Sequence, residues 1–268
     1  MSPLHVVRRE PVGTPHSTPL LFVHGAWHAS WCWEEHFLDD FAARGYSVAA
    51  LDLRGHGESP ARGRLKTTRI SDYVDDVAEV AQSFDTPPVV IGHSMGGLVV
   101  QKYLEKHAAP GGVLVASVPP RGVIGVTLDM AQHRFGAFAK ANLTWSLLPL
   151  VKDPQVAREL FYSEHLDEAT ALDYASRVQD EAYLAFLDML VLNLPKPKRV
   201  SAPMLVLGGE LDTIFPPKDA QATARAYNTE PAMFDAAHNL MLEPVWPDVA
   251  QAISDWLEST VRTGPPTT

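Results

Sequence analysis

The sequence predicts an α/β domain, built as a mostly parallel sheet with helices on both faces and interrupted by an inserted helical region. The first observation behind this prediction is that six short apolar runs alternate with amphipathic segments of helical periodicity. Continuous apolar runs are typical of strands covered on both faces, as in parallel sheets. The second observation is that the alternation stops after "SVPPRG" and resumes only beyond "LPKPKRVSAP".

The predicted strands and helices follow one another along the chain. The strands are "LLFVHG" from Leu20, "SVAALDL" from Ser47, "PVVIGHS" from Pro88, "GVLVASVP" from Gly112, "PMLVLGGELD" from Pro203 and "AMFDAAHN" from Ala232. The helices predicted between them cover residues 33–43, 70–84, 98–107, 218–227 and 249–257. A further run near the start, "LHVVRRE", is a candidate antiparallel edge strand.

The region of residues 122–194 contains only helical patterns, so we expect it to form a helical cap. One of its helices is "DPQVARELFY", which opens on an Asp-Pro start signal. The proline-rich stretch that follows returns the chain to the sheet, so residues 1–121 and 195–263 are expected to form one core domain. The Gly-Pro-Pro-Thr-Thr tail, residues 264–268, is expected to be disordered.

Composition and charge argue against several classes of function. The formal net charge of −10 at pH 7 disfavours nucleic acid, because polyanion binding needs clustered Lys and Arg. The sequence shows no signal-peptide pattern and no apolar run long enough to span a bilayer, so we expect a soluble, cytoplasmic protein without stable membrane insertion. Cys32 is the single cysteine, which argues against a zinc cluster or other metal site and favours a packing role.

A lone serine ends one of the apolar runs, in the pentapeptide Gly92-His93-Ser94-Met95-Gly96. This G-x-S-x-G pattern, between a predicted strand and a predicted helix, is typical of a sharp turn that exposes a nucleophilic hydroxyl. Glycine is expected at both flanks, because a side chain there would collide across the tight crossing. The alternatives are a chance match or a helix-capping serine, and the strand–turn–helix context favours the nucleophile.

A serine nucleophile needs a base and a third group that orients the base. His238 is the candidate base, because it is the only histidine beyond the helical region and follows the last predicted strand. Asp212, at the end of "PMLVLGGELD", is the candidate orienting carboxylate. Glu210 shares that edge, and strand alternation turns both carboxylates to the same side, so spacing does not separate them. A further alternative is that Asp212 only caps the next helix.

The oxyanion that forms during attack needs two preorganised donors. The candidate oxyanion hole consists of the backbone amides of Met95 and Ala26, with Trp27 as the alternative to Ala26. His24 is expected to form hydrogen bonds within its own loop, and Trp27 and His28 are the candidates for lining a substrate pocket. Three further aromatic residues of this region are expected to form an inward helix stripe: Trp33, Phe37 and Phe41.

The motifs "HGAW", "DLRGHGES", "GHSMGG", "GGELD" followed by "FPP", and "AHNLMLEP" resemble the α/β-hydrolase fold superfamily in order and over nearly the whole chain. The resemblance implies that the triad residues follow the chain order Ser, Asp, His, and this order favours Asp212 over Glu210. It also implies a cap between the sixth and seventh core strands and the absence of a cofactor. It is nearest to the esterase, lysophospholipase and monoacylglycerol-lipase-like branch. Members that cleave carbon–halogen bonds or epoxides carry aspartate at the position of Ser94, so these activities are disfavoured. The "DLRGHGES" loop, Asp52 to Ser59, is assigned to turn-building contacts.

The expected function is therefore that of a serine hydrolase that cleaves a carboxylic ester of a small to medium, apolar small-molecule substrate through an acyl-enzyme. An apolar substrate is expected from the apolar residues of the cap: Met130, Phe135, Phe138, Trp145, Phe161, Tyr183, Phe186 and Met189. Hydrolysis of a lactone, such as an acyl-homoserine lactone, or of a thioester or carbon–carbon bond with the same triad is an alternative. A low-turnover ligand-binding protein with this fold is another.

Overall fold

The computed structural model describes residues 3–261. Its strands are β1 (Val6–Arg9), β2 (Leu20–Val23), β3 (Val48–Leu51), β4 (Val89–His93), β5 (Gly112–Val115), β6 (Met204–Gly209) and β7 (Pro231–Phe234). They form a 7-stranded sheet in the order β1-β3-β2-β4-β5-β6-β7. Only the pairing of β1 with β3 is antiparallel in this sheet. The predicted fold class and each predicted strand are confirmed, whereas the predicted disordered tail of residues 264–268 lies outside the described residues.

The helices of the core surround this sheet. They are α1 (Trp31–Glu34), α2 (Phe37–Ala43), α3 (Ile70–Ala81), α4 (Met95–Leu104), α10 (Pro217–Ala226) and α11 (Trp246–Thr260), with α5 to α9 between α4 and α10 in the chain. The predicted helix over residues 33–43 is in fact two helices, α1 and α2. Helix α4 begins three residues before the predicted start, because Gly96 and Gly97 give its first turn a low helix propensity that hides it in the sequence.

The core of the molecule lies on both sides of the central strands. Every residue of β2, β3, β4 and β5 is buried, as expected for a parallel sheet covered by helices. Trp33, Phe37 and Phe41 pack around Phe22 of β2, which confirms the inward stripe predicted for this region. Cys32 is fully buried beside them, and burial raises the pKa of its thiol, in agreement with a packing role.

The region between β5 and β6 forms five helices. They are α5 (Ile124–His133), α6 (Phe135–Thr144), α7 (Pro154–Phe161), α8 (Glu168–Ser176) and α9 (Tyr183–Leu187), followed by one π-helical turn at Asp188–Leu192. This helical region lies between β5 and β6, the fifth and sixth of the seven described strands. None of the helices within residues 3–261 has the length and apolar character needed to cross a membrane.

Candidate active site

Ser94 occupies the sharp turn between β4 and α4. Its backbone has φ 50° and ψ −116°, a conformation that costs energy in a residue with a side chain and that recurs at functional turns. A Cβ on Gly92 would collide with the carbonyl group of Gly96, and a Cβ on Gly96 would collide with the carbonyl oxygens of Val23 and His24. Only glycine therefore fits at both flanks, as the sequence predicts.

Asp212 and His238 form a buried pair beside this turn. Nδ1 of His238 lies 2.8 Å from Oδ2 of Asp212, and both side chains are at most 2% exposed. Oδ1 of Asp212 accepts hydrogen bonds from the backbone amides of Ile214 at 2.8 Å and Phe215 at 2.9 Å. Because the carboxylate accepts from Nδ1, that nitrogen carries the proton, and Nε2 is left with a free lone pair.

The structure separates the two carboxylates that spacing alone left equivalent. Strand β6 ends at Gly209, so the alternation of side chains no longer applies to the residues after it. Glu210 is exposed, whereas Asp212 lies in the following turn and faces His238. Helix α10 begins only at Pro217, so Asp212 stabilises its own turn and does not cap that helix.

The two residues predicted for the oxyanion hole lie at the same pocket as Ser94 and His238. Met95 is the first residue of α4, where backbone amides have no partner within the helix and the helix dipole is positive. Ala26 belongs to the loop after β2 and also lines the pocket. The next residue, Trp27, has φ 63° and also lines the pocket. Both residues of the candidate oxyanion hole therefore line the pocket that contains Ser94 and His238.

His24 is a buried structural residue, as the sequence predicts. Its Nε2 accepts a hydrogen bond from the amide of Leu53 at 3.1 Å, and its Nδ1 donates to the carbonyl oxygen of Gly25 at 2.8 Å. Burial, assisted by the neighbouring His56, lowers the pKa of His24 to about 4, so the ring is neutral at pH 7. His24 therefore joins the loop after β2 to the loop after β3.

His28 does not line the pocket, and this corrects the sequence prediction. The ring is 1% exposed, donates from Nδ1 to the carbonyl oxygen of Ala26 at 2.8 Å, and accepts at Nε2 from Nδ2 of Asn239 at 3.0 Å. Burial lowers the pKa of His28 to about 4. Trp27, whose backbone is left-handed, belongs to the pocket lining, whereas the neighbouring His28 is buried outside it.

The sequence prediction missed His93, which lies directly before Ser94. Its Nε2 donates to the carbonyl oxygen of His238 at 3.1 Å, and the two ring centroids are 4.8 Å apart. Complete burial, with the nearby His238 adding to it, lowers the pKa of His93 well below its usual value. His93 is therefore a neutral donor that holds the backbone of the candidate base.

The pocket beside Ser94 contains about 550 Å³ of empty space, its open mouth included. Its lining residues come from the core loops and from the helical region: Ala26, Trp27, Ser94, Met95, Val118, Val123, Val126, Thr127, Met130, Leu147, Leu150, Phe186, Met189, Ile214, Phe215 and His238. Polar side chains in this lining are limited to Ser94, Thr127 and His238. The arrangement suits an apolar ligand whose reactive group lies at the Ser94 end.

Only some of the eight apolar cap residues from which an apolar substrate is expected line the pocket. Three of the eight line the pocket, namely Met130, Phe186 and Met189. Phe135 and Trp145 are 72% and 49% exposed, and the other three lie outside the lining. A signal for the pocket face of α5 was present in the sequence, because Val123, Val126, Thr127 and Met130 follow helical i, i+3, i+4, i+7 spacing.

The Asp52–Ser59 loop builds its own turn, as expected. Asp52 accepts from the amides of Ser30 at 2.7 Å and Glu58 at 2.9 Å, and Oγ of Ser59 donates to the carbonyl oxygen of Asp52 at 2.6 Å. Burial alone would raise the pKa of Asp52, but these amides hold it below its usual value. No residue of the loop belongs to the pocket lining found in the described chain.

Comparison with known proteins agrees with this architecture. Residues 20–252 match the Alpha/beta hydrolase family. A non-heme chloroperoxidase of Streptomyces lividans is 30% identical over 260 residues, which cover 84% of this chain and 89% of that protein. Phospholipase YtpA of Bacillus subtilis is 30% identical over 131 residues, which cover 45% of this chain and 48% of that protein.

Solved structures share the fold over almost the whole chain. A thermophilic esterase from Thermogutta terrifontis has a TM-score of 0.73 at 21% identity and covers 96% of this chain and 94% of that one. A monoacylglycerol lipase from Paleococcus ferrophilus has a TM-score of 0.70 at 22% identity, with 97% and 100% covered. At these identities the structural likeness describes the fold only, whereas the family match extends over most of the sequence. The chain belongs to the alpha/beta hydrolase family.

Proposed function

We propose that this protein is a serine hydrolase that cleaves carboxylic esters of small to medium, apolar small molecules. The observation that carries the proposal is the 2.8 Å contact between Nδ1 of His238 and Oδ2 of Asp212, at a pocket that also contains the strained Ser94 turn. A nucleophile, a base and a buried carboxylate that orients the base are the three groups that acyl transfer by serine requires.

In the proposed reaction, Oγ of Ser94 attacks the ester carbonyl while Nε2 of His238 takes the hydroxyl proton. Asp212 holds the ring in the tautomer that leaves Nε2 free and stabilises the imidazolium that forms. The amides of Ala26 and Met95 donate to the oxyanion. The bond to the leaving alcohol then breaks, and His238 delivers its proton to that alcohol. Water attacks the acyl-enzyme with His238 again as the base, which releases the acid and restores Ser94.

The proposed substrate class follows from the pocket. Most of the lining is apolar, so an acyl chain is desolvated there without leaving buried polar groups unpaired. The pocket contains about 550 Å³ of empty space, its open mouth included, and short and medium acyl chains are its proposed occupants. The phospholipase among the relatives supports hydrolysis of acyl esters.

The proposal is tested with a chain-length panel of p-nitrophenyl esters on purified wild-type protein and its Ser94→Ala variant. We expect hydrolysis by the wild type and a loss of at least about 10³-fold in kcat/KM in the variant. A fluorophosphonate probe, located by peptide mapping, should label Ser94. Equal rates for the two proteins, together with no label on Ser94, would exclude the mechanism. A lactone panel measured in parallel identifies a preference for cyclic esters.

A second candidate activity is supported by the chloroperoxidase that shares 30% identity over 84% of this chain. If hydrogen peroxide replaces water in the attack on the acyl-enzyme, the product is a peroxy acid, which oxidises halide ions. The expected result is bromination of a dimedone reporter that needs a carboxylic acid or ester, peroxide and bromide together, and that disappears in Ser94→Ala. Bromination that persists in that variant would show that the triad is not responsible.

A further inference from the structure

The loop after β2, which contributes Ala26 to the candidate oxyanion hole, has a hydrogen bond on each of four consecutive carbonyl oxygens. His24 and His28, both part of this stretch of chain, donate to the carbonyls of Gly25 and Ala26. The next two carbonyl oxygens, at residues 27 and 28, receive their hydrogen bonds from the helical region instead. Both of these donors belong to one residue, Gln179.

Gln179 makes three hydrogen bonds to two different core loops. Its backbone amide donates to the carbonyl oxygen of Trp27 at 2.9 Å, and its Nε2 donates to that of His28 at 2.8 Å. Its Oε1 accepts from the amide of Gly57 at 3.2 Å. The side-chain amide therefore has one orientation that satisfies a donor and an acceptor at once. Gln179 is half-buried and does not line the pocket.

The two residues that follow Gln179 hold it in place through contacts of their own. Residues 179–181 are named the polar strap. Oδ1 of Asp180 accepts from the amides of Leu147 and Leu148, both at 3.0 Å, and Leu147 lines the pocket. The strap thus fastens the oxyanion loop to one wall of the pocket.

The third residue of the strap, Glu181, is fully buried between the helical region and the core. It accepts from the hydroxyl of Tyr73 at 2.7 Å and pairs with Nε2 of His56 at 3.2 Å. Burial opposes both charges, but the pair itself lowers the pKa of Glu181 and raises that of His56. Because Asp180 and Glu181, the next two residues, are held by these contacts, Gln179 has little freedom to move with the loop that it binds.

We propose that Gln179 is a positioning residue through which the helical region fixes the oxyanion loop and hence the amide of Ala26. The inference rests on the proposed function and deepens it. Within residues 26–28, the backbone of Trp27 is in the left-handed region, a conformation that is unfavourable unless surrounding contacts stabilise it. When the carbonyls of Trp27 and His28 are held, the loop is restrained at this turn, and the position of the Ala26 amide is restrained with it.

A positioning role has a kinetic signature. The oxyanion exists only after attack, so a displaced donor weakens binding of the transition state and leaves binding of the substrate almost unchanged. Displacements of about 1 Å in such a site reduce rates by up to roughly 100-fold. Loss of Gln179 should therefore lower kcat and leave KM almost constant, whereas a change in the pocket walls would alter KM.

The test compares Gln179→Glu with Gln155→Glu. Gln179→Glu retains an acceptor for Gly57 but replaces the donor to the His28 carbonyl with a negative oxygen. Gln155→Glu makes the same chemical change at an exposed position of α7, so it controls for added charge on the helical region. Gln179→Met, which removes both side-chain bonds without adding charge, is the second variant. The measurements are kcat, KM and the affinity of a trifluoromethyl ketone that forms an oxyanion on Ser94.

We expect both Gln179 variants to lose about tenfold or more in kcat, with KM within about twofold of the wild type. The affinity for the ketone should fall by a similar factor, and Gln155→Glu should behave as the wild type. Wild-type kcat in both Gln179 variants, or a loss confined to KM, would overturn the proposal while the ester hydrolase remained. Absence of esterase activity from the wild type would remove both proposals together.

Discussion

Nδ2 of Asn239 donates to Nε2 of His28 at 3.0 Å, although 211 positions separate them in the chain. Asn239 directly follows the candidate base His238, and Nδ1 of His28 holds the carbonyl of Ala26. One buried imidazole thus connects the loop of the base with the loop of the oxyanion hole. The connection requires a neutral ring, because a protonated His28 has no acceptor for Asn239.

Acid should therefore destabilise the fold between about pH 6.5 and 4. Burial lowers the pKa of both His24 and His28 from 6.5 to about 4, so the unfolded chain binds more protons in this window and the free energy of unfolding falls as pH falls. Between pH 7 and 5 the expected loss is about 2 kcal/mol per histidine. His56 has the opposite effect, because its contact with Glu181 raises its pKa in the folded state. Its contribution to the stability of the fold is lost as pH rises through that pKa.

Urea unfolding at several pH values measures this effect. In the His28→Asn variant, the free energy of unfolding should fall less between pH 7 and 5 than in the wild type, by about the amount expected for one histidine. This comparison does not depend on the absolute stability of the variant. A wild-type free energy of unfolding that stays constant from pH 7 to pH 5 would contradict the prediction.

Asp212 and Glu210 offer a matched pair for testing the orienting carboxylate. We expect Asp212→Asn to lower kcat by about 10³- to 10⁴-fold, because an amide no longer favours the tautomer with a free Nε2. Glu210→Gln removes the same charge two residues away, on an exposed side chain, and should leave kcat within about twofold. Steady-state kinetics on p-nitrophenyl esters decide the matter, and comparable losses in the two variants would remove Asp212 from the proposed triad.

Gly96, two residues after the candidate nucleophile Ser94, should be intolerant of a single methyl group. A Cβ on Gly96 meets the carbonyl oxygens of Val23 and His24, and these backbone atoms of a buried strand end cannot move aside. We expect Gly96→Ala to cost about 3 kcal/mol or more in the free energy of unfolding. Gly125→Ala, in helix α5 with open space around the new methyl, should be neutral or stabilise by up to about 1 kcal/mol. Thermal and urea unfolding compare the two, and a tolerated Gly96→Ala would refute this steric argument.

Two phenylalanines of the helical region should differ in their effect on substrate choice. Phe186 lines the pocket, so Phe186→Ala should lengthen the space for an acyl chain and raise the preference for decanoate over butyrate esters about tenfold. Phe135 is 72% exposed and lies outside the lining, so Phe135→Ala should leave that preference unchanged. The ratio of kcat/KM values for the two esters is the measurement. Equal shifts in both variants would mean that the pocket does not hold the acyl chain.

The sequence was sufficient to predict the sheet and the glycines of the tight turn around Ser94. Alternation of apolar runs and amphipathic segments is a local property, and it predicted the six parallel strands β2 to β7, while a separate apolar run was the candidate for the antiparallel edge at β1. The need for glycine at both flanks of the Ser94 turn was also predictable from the sequence, because a tight strand-to-helix turn excludes a Cβ whatever lies elsewhere in the chain.

Only the tertiary structure decided which side chains face the pocket and which support it. Asp212 and Glu210 are equivalent by strand spacing, but the chain leaves β6 at Gly209 and a turn directs Asp212 alone to His238. The roles of His28 and Gln179 depend on contacts across 211 and 151 positions, which no local periodicity records. Local patterns encode the burial of an element, whereas the direction of a loop side chain depends on partners that only folding brings together.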